Sequence, residues 1–212
     1  MPRTFDIVKS KTALIVVDLQ NDFVREGAPL RVKEALETLA PTKKLIDFAR
    51  ANGLPVVFLK FTTGKVPSLL WNWSPQIESD YCCKRGYERF YPDINRTELC
   101  TEIVEELRPI LPEDYVIEKY HYSGFRNTSL VDILRSEGVD TILVTGTVTQ
   151  ICVADTIHEG NAEGFKVIAI SDCVSTWDPL QQKTVLENVA YKYGMVMSSD
   201  EAINALLKAG EN

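Results

Sequence analysis

The stretch Thr141-Ile-Leu-Val-Thr-Gly146-Thr-Val-Thr-Gln-Ile-Cys152-Val-Ala-Asp-Thr156 decides how the rest of the chain is read. Residues 141–145 are short, apolar and β-branched, the composition of a strand covered on both faces. The residues that follow read as a helix over 151–162 that stops at Gly164. Cys152 therefore lies in a strand-to-helix turn, where free backbone N–H groups and the helix dipole favour a thiolate and a developing oxyanion. Two more apolar runs end on a charged side chain in the same way: Ala13-Leu-Ile-Val-Val-Asp18 and Tyr115-Val-Ile-Glu-Lys119.

Outward from these three runs, strands are expected over 13–18, 55–61, 115–119, 141–145, 166–170 and 195–197. Helices are expected over 41–51, 97–107, 129–136, 151–162, 179–193 and 199–208. Stop and start signals agree: Asn52-Gly53 and Glu137-Gly138 close helices, and Asp178-Pro179 opens one with proline in its first turn. Alternation of this kind marks an α/β fold, a mostly parallel six-stranded sheet with helices on both faces. The length of 212 residues suits one domain over 1–212. Residues 62–94 break the pattern. They carry Trp71, Trp73, Tyr81, Tyr87, Phe90 and Tyr91 without a period, and they read as a lid or a subunit interface.

Composition narrows the partners. Thirty acidic against 23 basic residues, net −7, supply no broad cationic surface, so nucleic acid is not the expected partner and a small molecule is. No apolar run approaches the length of a membrane span and no signal core opens the chain, so a cytoplasmic protein is expected. Five cysteines, two of them adjacent (Cys82-Cys83), and two histidines form neither a disulfide framework nor a zinc spacing.

In an open α/β sheet the ligand sits beyond the carboxyl ends of the strands, where strand order reverses. Asp18, Lys119 and Cys152 all end strands on that side. A lysine beside the sulfur lowers its pKa, and a carboxylate takes the thiol proton and returns it to a leaving nitrogen. The thiolate then attacks a carbonyl carbon, expels ammonia or an amine, and leaves a thioester for water. Each residue alone also suits a plain role: a small buried apolar thiol, a turn-capping aspartate, a solvated lysine. A cysteine–histidine pair is the other route to an active thiol. His158, six residues along the same helix, turns away from the sulfur and reads as a surface side chain, while His121 can approach the cleft.

Three ordered blocks resemble the isochorismatase-like cysteine hydrolase superfamily. They are Ala13-Leu-Ile-Val-Val-Asp18-Leu-Gln-Asn-Asp22-Phe23, then Glu118-Lys119-Tyr-His-Tyr-Ser123-Gly-Phe125-Arg-Asn-Thr128-Ser-Leu130, then Val144-Thr-Gly146-Thr-Val-Thr149-Gln-Ile-Cys152-Val153. The resemblance implies Asp18 as general base and acid, Lys119 as the cation supporting the thiolate, and Cys152 as nucleophile. It also implies a cis peptide at Thr147–Val148, aiming the Val148 N–H beside that of Cys152 as an oxyanion hole. A homodimer or homotetramer is implied too.

Departures from the family pattern shape the expected substrate. Members that cleave a vinyl ether lack the cysteine, so Cys152 points to C–N hydrolysis. Nicotinamidases carry metal-binding histidines after the second strand, whereas 61–73 contains none here, so no metal or other cofactor is expected. Tyr122-Ser-Gly-Phe125 is more similar to the ureido and carbamoyl amidases. Their carboxylate-holding arginine after the fifth strand is missing from Asp172-Cys-Val-Ser-Thr-Trp177, which leaves Arg126 or Lys65 to supply the charge. Phe23, Trp71, Trp73, Tyr122 and Phe125 are the candidate pocket wall, with Gln20, Asn21 or Gln150 as polar contacts. The alternatives are a nicotinamidase-like enzyme with an altered metal site and an idle, binding or assembly member of the fold.

Overall fold

A computed structural model of the chain describes residues 4–64 and 76–209. Six strands make the sheet, the inner ones buried because their residues are β-branched or apolar on both faces and the edge strands half-buried: β1 (Thr12–Val17), β2 (Val56–Phe61), β5 (Tyr115–Lys119), β6 (Thr141–Thr147), β7 (Lys166–Ser175) and β8 (Gly194–Met197). They form one sheet in the order β5-β2-β1-β6-β7-β8, and every pairing is parallel. Alternate residues of β1 face opposite cores. Leu14 and Val16 pack with α2 (Ala35–Ala51) and α7 (Ser199–Ala209); Ala13, Ile15 and Val17 pack with α4 (Leu130–Ser136) and α5 (Ala154–Ala162). The expected three-layer α/β architecture is therefore present, with α6 (Pro179–Asn188) on the second face. Asp178 caps α6 by accepting from the Leu180 N–H at 2.9 Å, with Pro179 at the first helical position.

Three expectations need correction. The helix expected to begin at Pro41 begins at Ala35, with the proline inside it. Burial of Ala35, Thr38 and Leu39 against the core offsets the backbone hydrogen bond that proline removes. The helix expected over 97–107 is instead a strand, β4 (Arg96–Leu99), paired antiparallel with β3 (Glu88–Tyr91), followed by a single 3-10 turn at Glu105–Leu107. Tyr91-Pro-Asp-Ile-Asn95 is the hairpin turn: the Asn95 N–H donates to the Pro92 carbonyl at 3.2 Å, and Asn95 takes the left-handed conformation at φ 49°. Part of the aromatic-rich segment is thus a strand of this hairpin, preceded by the one-turn α3 (Gln76–Ser79). Its remainder, 65–75, with Trp71, Trp73 and Lys65, lies outside the described residues. Finally, α5 starts at Ala154, after a π turn over Thr149–Val153. The Val148 carbonyl accepts from both Ile151 N (3.0 Å) and Val153 N (3.2 Å), and the second of these bonds gives the turn its wider pitch.

Strand order reverses between β1 and β6, because β2 and β5 extend the sheet one way from β1 and β7 and β8 extend it the other way. The residues just past β1 and β6 therefore flank the crevice that such a reversal opens.

Candidate active site

Asp18 directly follows β1 and leaves the strand through a left-handed turn at φ 52°, a conformation aspartate tolerates better than most side chains. Its carboxylate is 0% exposed, and Oδ1 accepts from the Phe61 N–H at 3.0 Å. Lys119 ends β5, with β2 between it and β1, and only a long side chain reaches back across that strand. It passes over the Phe61 ring, with Nζ 5.1 Å from the centroid. The ammonium, also 0% exposed, lies 2.7 Å from Asp18 Oδ2 and donates to the carbonyls of His121 (3.1 Å) and Tyr122 (2.9 Å). Asp18 Oδ2 accepts no other aligned hydrogen bond, so this ion pair leaves a lone pair open toward the crevice.

Cys152 arrives from the other side of the strand reversal, 3% exposed in the π turn. Both Asp18 and Lys119 are close enough to its thiol to act on it electrostatically. The three side chains that sequence placed at strand ends thus meet. Thr149 and Thr156 hold the turn: Thr149 Oγ1 donates to Gln182 Oε1 at 2.6 Å, and Thr156 Oγ1 donates to the Cys152 carbonyl at 2.7 Å. Thr156 Oγ1 also accepts from the Gly124 N–H at 3.0 Å, tying in the loop after Lys119. The Thr147–Val148 peptide is cis, as the resemblance implied, and Val148 is buried beside Cys152.

The electrostatics correct one expectation. Burial pushes the Cys152 thiol well above its ordinary value; Lys119 pulls it back, and the Asp18 charge raises it again. The resting thiol is therefore protonated, because the carboxylate beside it and the loss of water outweigh the lysine and the turn. Burial likewise raises the Asp18 carboxyl, against the opposing pull of Lys119. Burial lowers Lys119, yet Asp18 and the sulfur outweigh it, and the ammonium is held above its usual range. A charged Lys119 beside a neutral thiol is the arrangement these forces favour, with Asp18 drawn toward its neutral form by burial and back toward the carboxylate by Lys119.

Gly146 lets the two halves close. Its φ is 114°, and a Cβ there would lie 2.0 Å from the Val17 carbonyl oxygen, one residue before Asp18. Gly146→Ala is expected to cost about 3 kcal/mol, a fall in Tm of roughly 6–12 °C for a chain of this size. Gly138→Ala is the control: φ is +67° there but nothing lies within 4 Å, so only backbone strain of about 1 kcal/mol remains. Thermal unfolding of the two variants side by side checks the difference.

Above the sulfur a cavity of about 280 Å³ opens, the small end of the range for ligand sites. Phe23 and Tyr122 line it as expected, together with Phe61, Trp177 and Arg31, which the sequence reading did not select. Other candidates are corrected. Phe125 packs in the core against Phe165 (ring centroids 5.8 Å apart). Gln20 is spent on the Phe61 and Thr101 carbonyls, both at 2.9 Å, and Asn21 on the Leu99 carbonyl at 3.0 Å. Gln150 is half-buried and outside the lining, and Arg126 is exposed. His158 is half-buried and stacks on Tyr193, ring centroids 4.2 Å apart, where α5 meets the turn after α6. His121 gives Lys119 its carbonyl, and its ring lies outside the lining. Among the described residues no cluster of three or more His, Cys, Asp or Glu could hold a metal ion, and no helix is long and apolar enough to cross a membrane.

The sequence signal for Arg31 was present. Gly27-Ala-Pro-Leu-Arg31-Val32 follows Asp22-Phe23 after three intervening residues in the chain beyond β1, and a cation among Ala28, Pro29, Leu30 and Val32 needs a reason to be there. Asp22 itself is fully buried and accepts from Cys83 N (2.8 Å), Arg89 Nε (2.9 Å) and Tyr91 OH (2.8 Å). It anchors the β3–β4 hairpin beside the site and leaves the catalytic work to others.

A fold and a site of this geometry describe a hydrolytic enzyme built on a buried cysteine. An Isochorismatase domain matches residues 12–201, and the chain belongs to the isochorismatase family. It is 28% identical to the ureidoacrylate amidohydrolase RutB of Pseudomonas syringae pv. syringae (strain B728a), over 99% of this chain and 89% of that protein. The crystal structure of a cysteine hydrolase from Pseudomonas syringae pv. phaseolicola 1448A superposes with a TM-score of 0.86 at 31% identity, covering 97% of this chain and 96% of the other. N-carbamoylsarcosine amidase from Thermoplasma acidophilum gives a TM-score of 0.69 at 32% identity, covering 90% and 98%. Within the family the chain falls with the cysteine amidohydrolases, hydrolases of C–N bonds that act on small molecules.

Proposed function

We propose that the chain hydrolyses a C–N bond of a small ureido or carbamoyl compound through a thioester on Cys152, with Asp18 as general base and acid and Lys119 holding Asp18 ionised. The observation that carries this is the buried Asp18–Lys119 pair, 2.7 Å apart, with both charges acting on one thiol at the floor of the cavity.

The steps follow from the charges. As the sulfur attacks the carbonyl carbon, its proton passes to Asp18, so no free thiolate accumulates in the dry site. The C–S bond forms, and the carbonyl oxygen becomes an oxyanion facing the N–H groups of Val148 and Cys152. Protonated Asp18 then gives its proton to the leaving nitrogen, the C–N bond breaks, and ammonia or an amine departs. Water enters, loses a proton to Asp18, and attacks the thioester; collapse returns the proton to sulfur and releases the acid. Lys119 keeps its proton throughout, since its carbonyl contacts and Asp18 all favour the ammonium. Five free cysteines fit a reducing cytoplasm, where a homodimer or homotetramer is the expected form.

Incubation with a panel of ureides and carbamoyl amino acids, followed by acid quench and mass spectrometry, tests the reading. The expected result is ammonia release with a mass increment equal to the acyl half on the peptide containing Cys152. Ammonia release with the increment absent, or located on another residue, overturns the thioester route.

A further inference from the structure

We infer that Arg31 determines specificity by binding a carboxylate on the substrate, so that the compound hydrolysed is a short ureido or carbamoyl acid; this rests on the amidohydrolase reading above. Arg31 lines the cavity that ends on Cys152, and its other walls include Phe23, Leu30, Phe61, Ile77 and Trp177. Among the described residues no acidic side chain lines that cavity. Beneath it, Asp18 and Lys119 cancel one another. Among the described residues the guanidinium of Arg31 is therefore the uncompensated charge of the site.

Its isolation is specific to it. Arg25, Arg50 and Arg89, also partly or wholly buried, each pair with a carboxylate: Glu106, Asp114 and Asp22. Arg31 forms no ion pair among the described residues, and its Nε is buried without a hydrogen-bond partner. A donor withdrawn from water and left unsatisfied carries a cost that an arriving acceptor removes. The planar guanidinium fork matches a carboxylate in two parallel hydrogen bonds. The loop that carries it is braced, with Val32 N donating to the Phe23 carbonyl at 2.7 Å and Arg31 N to the Ala28 carbonyl at 3.3 Å. Loop 172–177, where the family resemblance would put such a cation, has none, so Arg31 supplies the charge from the opposite wall. The cavity of about 280 Å³ keeps the carboxylate and the scissile carbonyl within one short molecule.

Two measurements test this. In the first, N-carbamoyl-β-alanine and its neutral carboxamide are compared for ammonia release by wild type, Arg31→Gln and Arg31→Lys. Arg31→Gln is expected to lower kcat/KM for the acid roughly 10- to 100-fold, mainly through KM, with less than about threefold change for the carboxamide; Arg31→Lys retains an intermediate preference. Equal losses on both substrates overturn the inference and leave the hydrolase reading standing, whereas wild type inert on every ureide and carbamoyl compound defeats the hydrolase reading. The second measurement needs no turnover: alkylation of Cys152 by iodoacetate, an anion, against iodoacetamide, its neutral counterpart, read by mass spectrometry. The ratio of the two rates cancels any change in the thiol itself. It is expected to fall about tenfold or more in Arg31→Gln, and an unchanged ratio overturns the proposal.

Discussion

Cys152→Ala is expected to abolish ammonia release, with kcat falling on the order of 10⁴- to 10⁶-fold, the range seen when a covalent nucleophile is removed. Among the described residues no second group can take over: the cavity wall beside Cys152 is built from Phe, Pro, Leu, Ile, Val, Trp, Tyr and Arg side chains, none of which attacks a carbonyl in that setting. The other cysteines are buried elsewhere: Cys82, Cys83 and Cys100 lie around Asp22, and burial pushes Cys82 and Cys100 up to about 12. The substitution removes a small group from a buried turn and should cost stability only about 1 kcal/mol, so a thermal melt near wild type separates lost chemistry from lost fold. Cys152→Ser sharpens the comparison. It keeps the volume and a proton for Asp18, but a hydroxyl is a far weaker nucleophile than a thiol, so it too should be inactive. Ammonia release persisting near the wild-type rate in either variant would remove Cys152 from the mechanism.

Why the catalytic trio could be read from the chain, and the cavity wall could not, has a physical basis. Lys119 ends a strand, and Asp18 and Cys152 follow strands whose apolar runs are unambiguous, Cys152 in the turn after β6; a parallel sheet places all such ends on one edge. Convergence then follows from topology with no knowledge of packing. The wall depends on loop conformation. Phe125 and Phe23 look alike in sequence, yet Phe125 fills the space beneath α5 against Phe165 while Phe23 faces the cavity. For Arg31 the sequence offers only a cation in an apolar loop; the missing partner that marks it as a binding group becomes visible only in three dimensions. The helix expected over 97–107 failed for a local reason: Pro92 and Asn95 form a hairpin turn, and Arg96–Leu99 pairs with a neighbour whose alternation is too short to register as a strand by itself. Pro41 misled in the opposite direction. It resembled a helix start, and burial of the turn before it carried the helix past that signal.

Lys119→Met should have the second largest effect and shows what the ammonium is for. Methionine keeps much of the length and the contact with Phe61 but carries no charge. The carbonyls of His121 and Tyr122 lose their donor, and the Asp18 carboxylate is left buried without a counter-charge. Breaking such a pair costs about 3–5 kcal/mol, and the loss of a properly ionised base roughly 10²- to 10⁴-fold in rate. The pH dependence distinguishes this role from simple packing. Burial already holds the Asp18 carboxyl above its ordinary 3.8, and Lys119 is the strongest influence pulling it back. Asp18 acts as base only when ionised, so wild-type kcat/KM should rise with pH through an apparent value above the usual carboxylate range. Without Lys119 the same rise moves to higher pH. Stability follows the matching sign. A carboxyl whose folded pKa is raised contributes stability in acid and loses it as pH rises through that value. The deficit of Lys119→Met against wild type should therefore be largest near pH 7 and narrow toward pH 4, where protonating Asp18 removes the unpaired charge. Denaturant unfolding at the two pH values, with pH–rate profiles of both proteins, measures this directly; a deficit equal at both pH values together with an unmoved acid limb would mean that the lysine fills space and does not hold the base ionised.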